Sequence, residues 1–244
     1  MNVFFLDTDP AKAAAYHCDS HANKLQLESA QLLSAVLLTE NPVSTELGYP
    51  QTNSDLKLYR LSHKHHPSVK WLGTKIDNYA WLLQLTAGLN AEWLLRGHQP
   101  HRSYTEISQP IAEAFAAQLP ASPQVTLVPF CAGSWTEQLT DSKWCSPEAA
   151  VLLYRSYYVL EKHRLLKWRN SISGASRVPA WSTGQYLPYK VRLTGGELRH
   201  MYLPQSVDQV EAAGTIFGSF ARISLGCTSD FLKLTEASFR LIGG

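Results

Sequence analysis

The chain has 244 residues, with 22 Lys and Arg against 20 Asp and Glu, for a formal net charge of +2. That balance excludes a global field drawing the whole protein onto nucleic acid, so such contact needs a local basic patch. Hydrophobic residues make up 45% and charged residues 17%, which excludes a disordered chain and points to one large core or two small domains.

In chain order, residues 3–6 (Val-Phe-Phe-Leu) read as a short strand. Asp7-Thr8-Asp9-Pro10 then opens an Ala-rich helix over 11–17, with Thr8 or Asp9 as cap and Pro10 in the first turn. A second helix is expected over 20–38, and residues 41–53, rich in Pro, Ser, Thr and Gly, read as a loop. Residues 56–61 form a short element before Ser62-His63-Lys64-His65-His66-Pro67, where Pro67 suits a helix start. A long helix follows over 77–95, with Trp81, Leu82, Leu85, Leu89 and Trp93 at helical spacing and Gly97 closing it. A shorter helix is expected over 107–119, and Ser146-Pro147-Glu148 opens a last strongly patterned helix running to about Trp168. Residues 207–225 and 230–241 carry weaker helical patterns, the former weakened by Gly214 and Gly218. The expected fold is mainly α: a compact helical core domain over 1–170 with a short N-terminal strand, and an appended subdomain over 171–244.

The four cysteines, Cys18, Cys131, Cys145 and Cys227, form no CxxC pair, so neither a zinc ribbon nor a thioredoxin-like motif is expected. Residues 1–9 have no basic start, and no apolar run reaches the roughly 18 residues that span a membrane. The expectation is a cytoplasmic protein with reduced thiols and no membrane partner. There is no P-loop, GxGxxG fingerprint or GxSxG elbow, which removes kinase and α/β-hydrolase readings.

The densest reactive chemistry lies in His17, His21, Lys24, Glu28 and Gln31, spaced 4, 3, 4 and 3 apart. On one continuous helix all five share a side, opposite Leu25, Leu32, Leu33, Val36 and Leu37. The plain alternative is a solvated face with a Lys24–Glu28 pair worth a few tenths of a kcal/mol. Two chemistries fit the stripe. Lys24 as a nucleophilic amine, with Glu28 as acid–base partner and His21 beside it, is the equipment of enzymes that form imines with sugars. Alternatively, His17, His21 and Cys18 bind a metal with a further ligand from afar, for which His63, His65 and His66 are the natural source. No metal is favoured, since HExxH is absent, and no cofactor is expected. His65 also fits a general base or a phosphate contact. Tyr154, Arg155, Tyr158 and Lys162 form another stripe, continued by His163, Arg164, Lys167, Trp168 and Arg169. Cations interleaved with aromatics match a surface that tracks a nucleic-acid backbone and stacks bases. They equally match a helix C-terminus whose cations answer the dipole. Tyr79, Trp81 and Trp93 read as core.

As a set these pieces resemble a family of bacteriophage-encoded proteins over about residues 1–170. The matching pieces are the opening apolar run with Asp9-Pro10, His17-Cys18-Asp19-x-His21-x-x-Lys24 and Glu28-Ser29-Ala30-Gln31-Leu32-Leu33. They continue with Ser62-His63-Lys64-His65-His66-Pro67, Asn78-Tyr79-x-Trp81-Leu82, Tyr154-Arg155-x-Tyr157-Tyr158 and Lys167-Trp168. Their order is distantly similar to the pyrimidine-dimer DNA glycosylases of the endonuclease V type. That resemblance implies a small helical fold and DNA as partner, with the corresponding positions at Asp19, His21, Glu28, His66-Pro67 and Arg96-Gly97. The chain departs from the family at Met1-Asn2. The family prototype attacks with the α-amine of a small second residue exposed by Met removal, and Asn is usually too large for that removal. Lys24 then becomes the amine.

The resulting expectation is a DNA-acting enzyme that removes a damaged or modified base. Lys24, Glu28 and His21 would do the chemistry, and His65, Arg155, Tyr158 and Lys162 would hold nucleic acid. The alternatives are a metal-dependent hydrolase of nucleotides or nucleic acid, and a non-catalytic phage protein that binds a host factor.

Overall fold

The computed structural model describes residues 3–49, 55–131, 144–183, 187–192 and 198–203. The fold is mainly α. Its helices are α1 (Pro10–Tyr16), α2 (Asp19–Leu37), α3 (Pro42–Glu46), α4 (Pro67–Thr74), α5 (Ile76–Leu95), α6 (Gln109–Ala114), α7 (Pro147–Glu161) and α8 (Ala180–Thr183). Two short antiparallel pairs accompany them: β1 (Val128–Pro129) with β2 (Trp144–Cys145), and β3 (Leu187–Arg192) with β4 (Leu198–Leu203), the latter in register from Leu187 opposite Leu203 to Arg192 opposite Leu198. Among the described residues no helix is long and apolar enough to cross a membrane.

The core forms where the apolar sides of α1, α2 and α5 meet. Leu25, Leu32, Leu33, Val36 and Leu37 of α2 are all buried, as their spacing requires. Tyr79 and Trp81 of α5 are also buried, and Trp93 is partly so. Gly88 lets α1 lie close on α5, since a Cβ there would stand 2.7 Å from the Ala14 methyl. Residues 3–6 are buried, but they pair with no strand among the described residues. This segment threads between the helices instead. Phe5 stacks on Trp81 with centroids 4.4 Å apart, the Trp81 indole N–H donates to the Thr8 carbonyl, and the Arg155 Nε–H donates to that of Leu6. Side chains thus take over the hydrogen bonding a ladder would supply.

Local chemistry sets the helix ends. Asp9 caps α1 by accepting from the Ala11 and Lys12 amides. Gly97, at φ +85°, ends α5 in a Schellman turn: its N–H donates to the Leu94 carbonyl and that of His98 to the Trp93 carbonyl. The segment 41–53, expected as loop, contains α3. There Asn41 and Ser44 form a reciprocal capping box that stabilises a single turn. The helix expected over 107–119 begins earlier, as a π-turn over Tyr104–Ser108, and α6 ends at Ala114.

Two departures bear on function. First, α1 and α2 are separate helices. His17 (ψ 131°) and Cys18 (ψ 163°) are extended, so His17 does not stand on the helix that carries His21. The break is held by His17 Nδ1, which donates to the Ala13 carbonyl at 2.6 Å, and by the Tyr158 hydroxyl, which accepts from the Cys18 amide at 3.4 Å. Second, α7 stops at Glu161 rather than near Trp168. A 3-10 turn over His163–Leu165 redirects the chain. The Lys167 carbonyl then accepts from the Asp19 amide at 2.8 Å, and the Trp168 indole donates to the Tyr16 carbonyl at 3.1 Å. These tertiary bonds override the helical spacing. Residues past 170 also pack on the helices: Trp181 is buried and Arg177 pairs with Glu92. The helical patterns at 207–225 and 230–241 lie outside the described residues.

Candidate functional site

His21 is the centre of the densest polar cluster. It occupies the first turn of α2, where the Phe4 and Tyr158 rings lie against it. The Phe4 ring stacks on the imidazole at a centroid distance of 4.7 Å. The Tyr158 ring lies at 5.0 Å, and its hydroxyl is 2.5 Å from His21 Nδ1. Burial pushes the Tyr158 phenol well above its ordinary value, and the neighbouring Cys18 adds to this, so the phenol keeps its proton. The nearest acceptor for that proton is His21 Nδ1, which leaves the imidazole N–H on Nε2. Burial lowers the His21 pKa to about 4, with the Lys162 and Lys24 charges adding to the effect. At neutral pH His21 is therefore an uncharged imidazole, with Nε2–H as its free donor.

Lys24 and Glu28 stand one and two turns further along α2. Lys24 Nζ lies 3.3 Å from Glu28 Oε1, and the carboxylate side chain is 14% exposed against 64% for the lysine. The pair joins a recessed carboxylate to an amine that reaches solvent. Lys162, at the end of α7, places Nζ 5.2 Å from the Tyr157 ring centroid. Its charge and that of Lys24 both act on His21. His21, Lys24 and Glu28 share one side of α2 by their spacing, and the Lys162 ammonium lies near enough for its charge to act on the imidazole.

Other expected residues do different work. Tyr158 is fully buried, so it presents no ring face for base stacking. Arg155 is drawn inward, donating to the Leu6 carbonyl at 2.7 Å and the Asp7 carboxylate at 2.9 Å, with its guanidinium over the Tyr16 and Trp181 rings. It fastens the N-terminal segment rather than reaching for a phosphate. His65 is exposed in the turn before α4, while His66 Nδ1 accepts from the Ser68 amide as that helix's cap. His17 is fully buried, and burial, with His21 next, lowers its pKa to about 3. Cys18 is also buried, with Sγ 3.5 Å from His21 Nδ1. Among the described residues no group of three or more His, Cys, Asp or Glu side chains converges to hold a metal. The His17–Cys18–His21 alternative thus lacks the convergence it requires. His17 lies at the end of α1 and His21 in the first turn of α2, and both Nδ1 atoms are engaged in hydrogen bonds.

Local spacing shows only one pair of the charge network beneath the site. Arg96, its side chain fully buried, donates to Asp19 at 3.0 Å and to Glu92 at 3.4 Å. Arg177 joins Glu92 from the other side, and the Arg169 amide donates to both Asp19 oxygens. The one legible signal was the i, i+4 spacing of Glu92 and Arg96, which says nothing about burial. The network fixes the first turn of α2, and with it the position of His21.

No protein-family model, curated protein or solved structure matches the chain.

Proposed function

We propose that this protein acts on DNA and removes a damaged or modified base through the amine of Lys24. The observation that carries the reading is the Lys24–Glu28 pair, 3.3 Å apart, set beside the aromatic-walled His21 and a second ammonium, Lys162. A recessed carboxylate paired with one cation, near a second cation and an aromatic-walled imidazole, suits a substrate that is anionic outside and carries a flat base within.

In this mechanism Glu28 takes a proton from Lys24 Nζ, and the nitrogen attacks C1′ of the target nucleotide. The N-glycosidic bond breaks, and the base leaves with the bonding pair and takes the proton that Glu28 had accepted, which returns Glu28 to the carboxylate. A proton then passes from Nζ to O4′, the C1′–O4′ bond breaks, and the ring opens to an imine between Nζ and C1′. Loss of a C2′ proton to Glu28 would then expel the 3′ phosphate. The neutral His21 supplies Nε2–H as a hydrogen-bond donor to the sugar or base. Lys162 holds a flanking phosphate.

Borohydride reduction tests this. The protein is incubated with DNA carrying pyrimidine dimers, abasic sites or modified bases, and then reduced. A covalent protein–DNA band that disappears in Lys24→Ala and weakens in Glu28→Gln is expected. A band that survives Lys24→Ala places the nucleophile elsewhere. The absence of a band on every substrate overturns the imine mechanism.

A further inference from the structure

Most cations around the site are already paired. Lys24, Arg96, Arg155 and Arg177 each meet a carboxylate, as do Lys57, Lys75 and Arg102 elsewhere. The exception near the site is the segment 162–169. Lys162, Arg164, Lys167 and Arg169 form no ion pair among the described residues, and the last three are exposed. Like charges so close repel one another, and no carboxylate among the described residues pairs with them. The segment is nonetheless held firmly to the α2 N-terminus. Its Lys167 carbonyl accepts from the Asp19 amide, its Arg169 amide donates to the Asp19 carboxylate at 3.1 and 3.0 Å, and the Trp168 indole donates to the Tyr16 carbonyl. At its far end the Arg169 guanidinium lies 3.4 Å from His98 Nε2, and the His98 ring stacks on Trp93 with centroids 3.6 Å apart.

We infer that residues 162–169 form a phosphate-binding ribbon that carries the nucleic-acid backbone past the α2 N-terminus to His21. Lys162 is the end nearest His21, and Arg169 with the stacked His98 is the distal end. The interior contacts of Arg155 and Tyr158 leave this ribbon as the basic surface beside the stripe. Exposed cations fixed by their own backbone lose little freedom on meeting phosphates, and each contact releases condensed counterions. A repeating phosphate charge is the partner that fits an uncompensated row. The inference rests on the base-removal reading for its choice of DNA, but its test does not depend on chemistry.

The test measures binding of full-length protein to a fluorescent DNA duplex without lesions, across a salt series. The ribbon variant R164Q/K167Q/R169Q is compared with K12Q/R60Q/K70Q, which removes the same charge from exposed positions outside the ribbon. Each lost phosphate contact lowers the slope of log K against log salt by about 0.9. The ribbon variant should therefore lose about 2–3 in slope and weaken binding by roughly 10–100-fold, while the control changes far less. Equal effects in the two variants, or a folded ribbon variant that binds like the parent, would overturn the inference. So would failure of the parent to bind duplex, or binding to phosphatidylserine vesicles in its place. Borohydride trapping separates the two claims. If trapping fails everywhere while the ribbon variant still loses its salt slope, base removal falls and the ribbon stands. If trapping succeeds and the slope is unchanged, the ribbon falls alone.

Discussion

Acid should weaken this fold through its two buried histidines before its carboxylates titrate. His17 and His21 have pKa values lowered to about 3 and about 4 in the folded protein, chiefly by burial, against 6.5 when free. Between those values the unfolded chain binds more protons than the native one, so stability rises with pH across the window and is lost as pH falls through it. At pH 5 an unfolded histidine gains about 2 kcal/mol from protonation that its buried counterpart forgoes. The two together should therefore cost about 4 kcal/mol between pH 7 and pH 5, a large part of an ordinary stability of about 5–15 kcal/mol. Urea unfolding at fixed salt, repeated from pH 7 to pH 5, measures the loss, and His17→Gln isolates one contributor. The variant starts less stable, having lost the bond to the Ala13 carbonyl, but its decline over the same range should be about half that of the parent. Native-state NMR should show neither imidazole titrating above about pH 5. A His17→Gln decline equal to the parent's would refute the reasoning, because His17 would then bind protons alike in both states.

Further outcomes follow from the same contacts. Tyr158→Phe removes the donor to His21 Nδ1 and the acceptor for the Cys18 amide, and should cost about 1–3 kcal/mol in urea unfolding. Arg96→Met leaves Asp19 and Glu92 without their buried partner; a loss of about 3–5 kcal/mol is expected by thermal unfolding, and a neutral effect would show the network to be dispensable. Arg155→Gln should lower stability by roughly 1–3 kcal/mol while leaving the proposed DNA binding unchanged, since its guanidinium is spent on Leu6 and Asp7; a selective loss of that binding would return it to the proposed interface. Gly88→Ala drives a methyl into Ala14 and should destabilise by about 1–3 kcal/mol. Adding Ala14→Gly should recover part of that loss, and failure to do so would place the strain elsewhere.

Short-range physics was legible in the sequence. The apolar spacing of α2 and α5, the Asp9 cap and the Gly97 stop all act within a few residues, so they mark helices and the faces those helices bury. The same locality put Lys24 beside Glu28. What spacing could not carry was direction after packing. His17 and His21 are four residues apart, yet the chain breaks between them because His17 bonds back to Ala13 and the Tyr158 hydroxyl meets the Cys18 amide from 140 residues away. Helical spacing at Arg155 and Tyr158 suggested an outward stripe. Their neighbours proved to be Leu6, Asp7, Cys18 and His21, and these drew both side chains inward. Residues 162–169 carried the same charge whether helical or not. Only the bonds to Asp19 and Tyr16, made across the fold, decided that they leave α7 and lie along the start of α2.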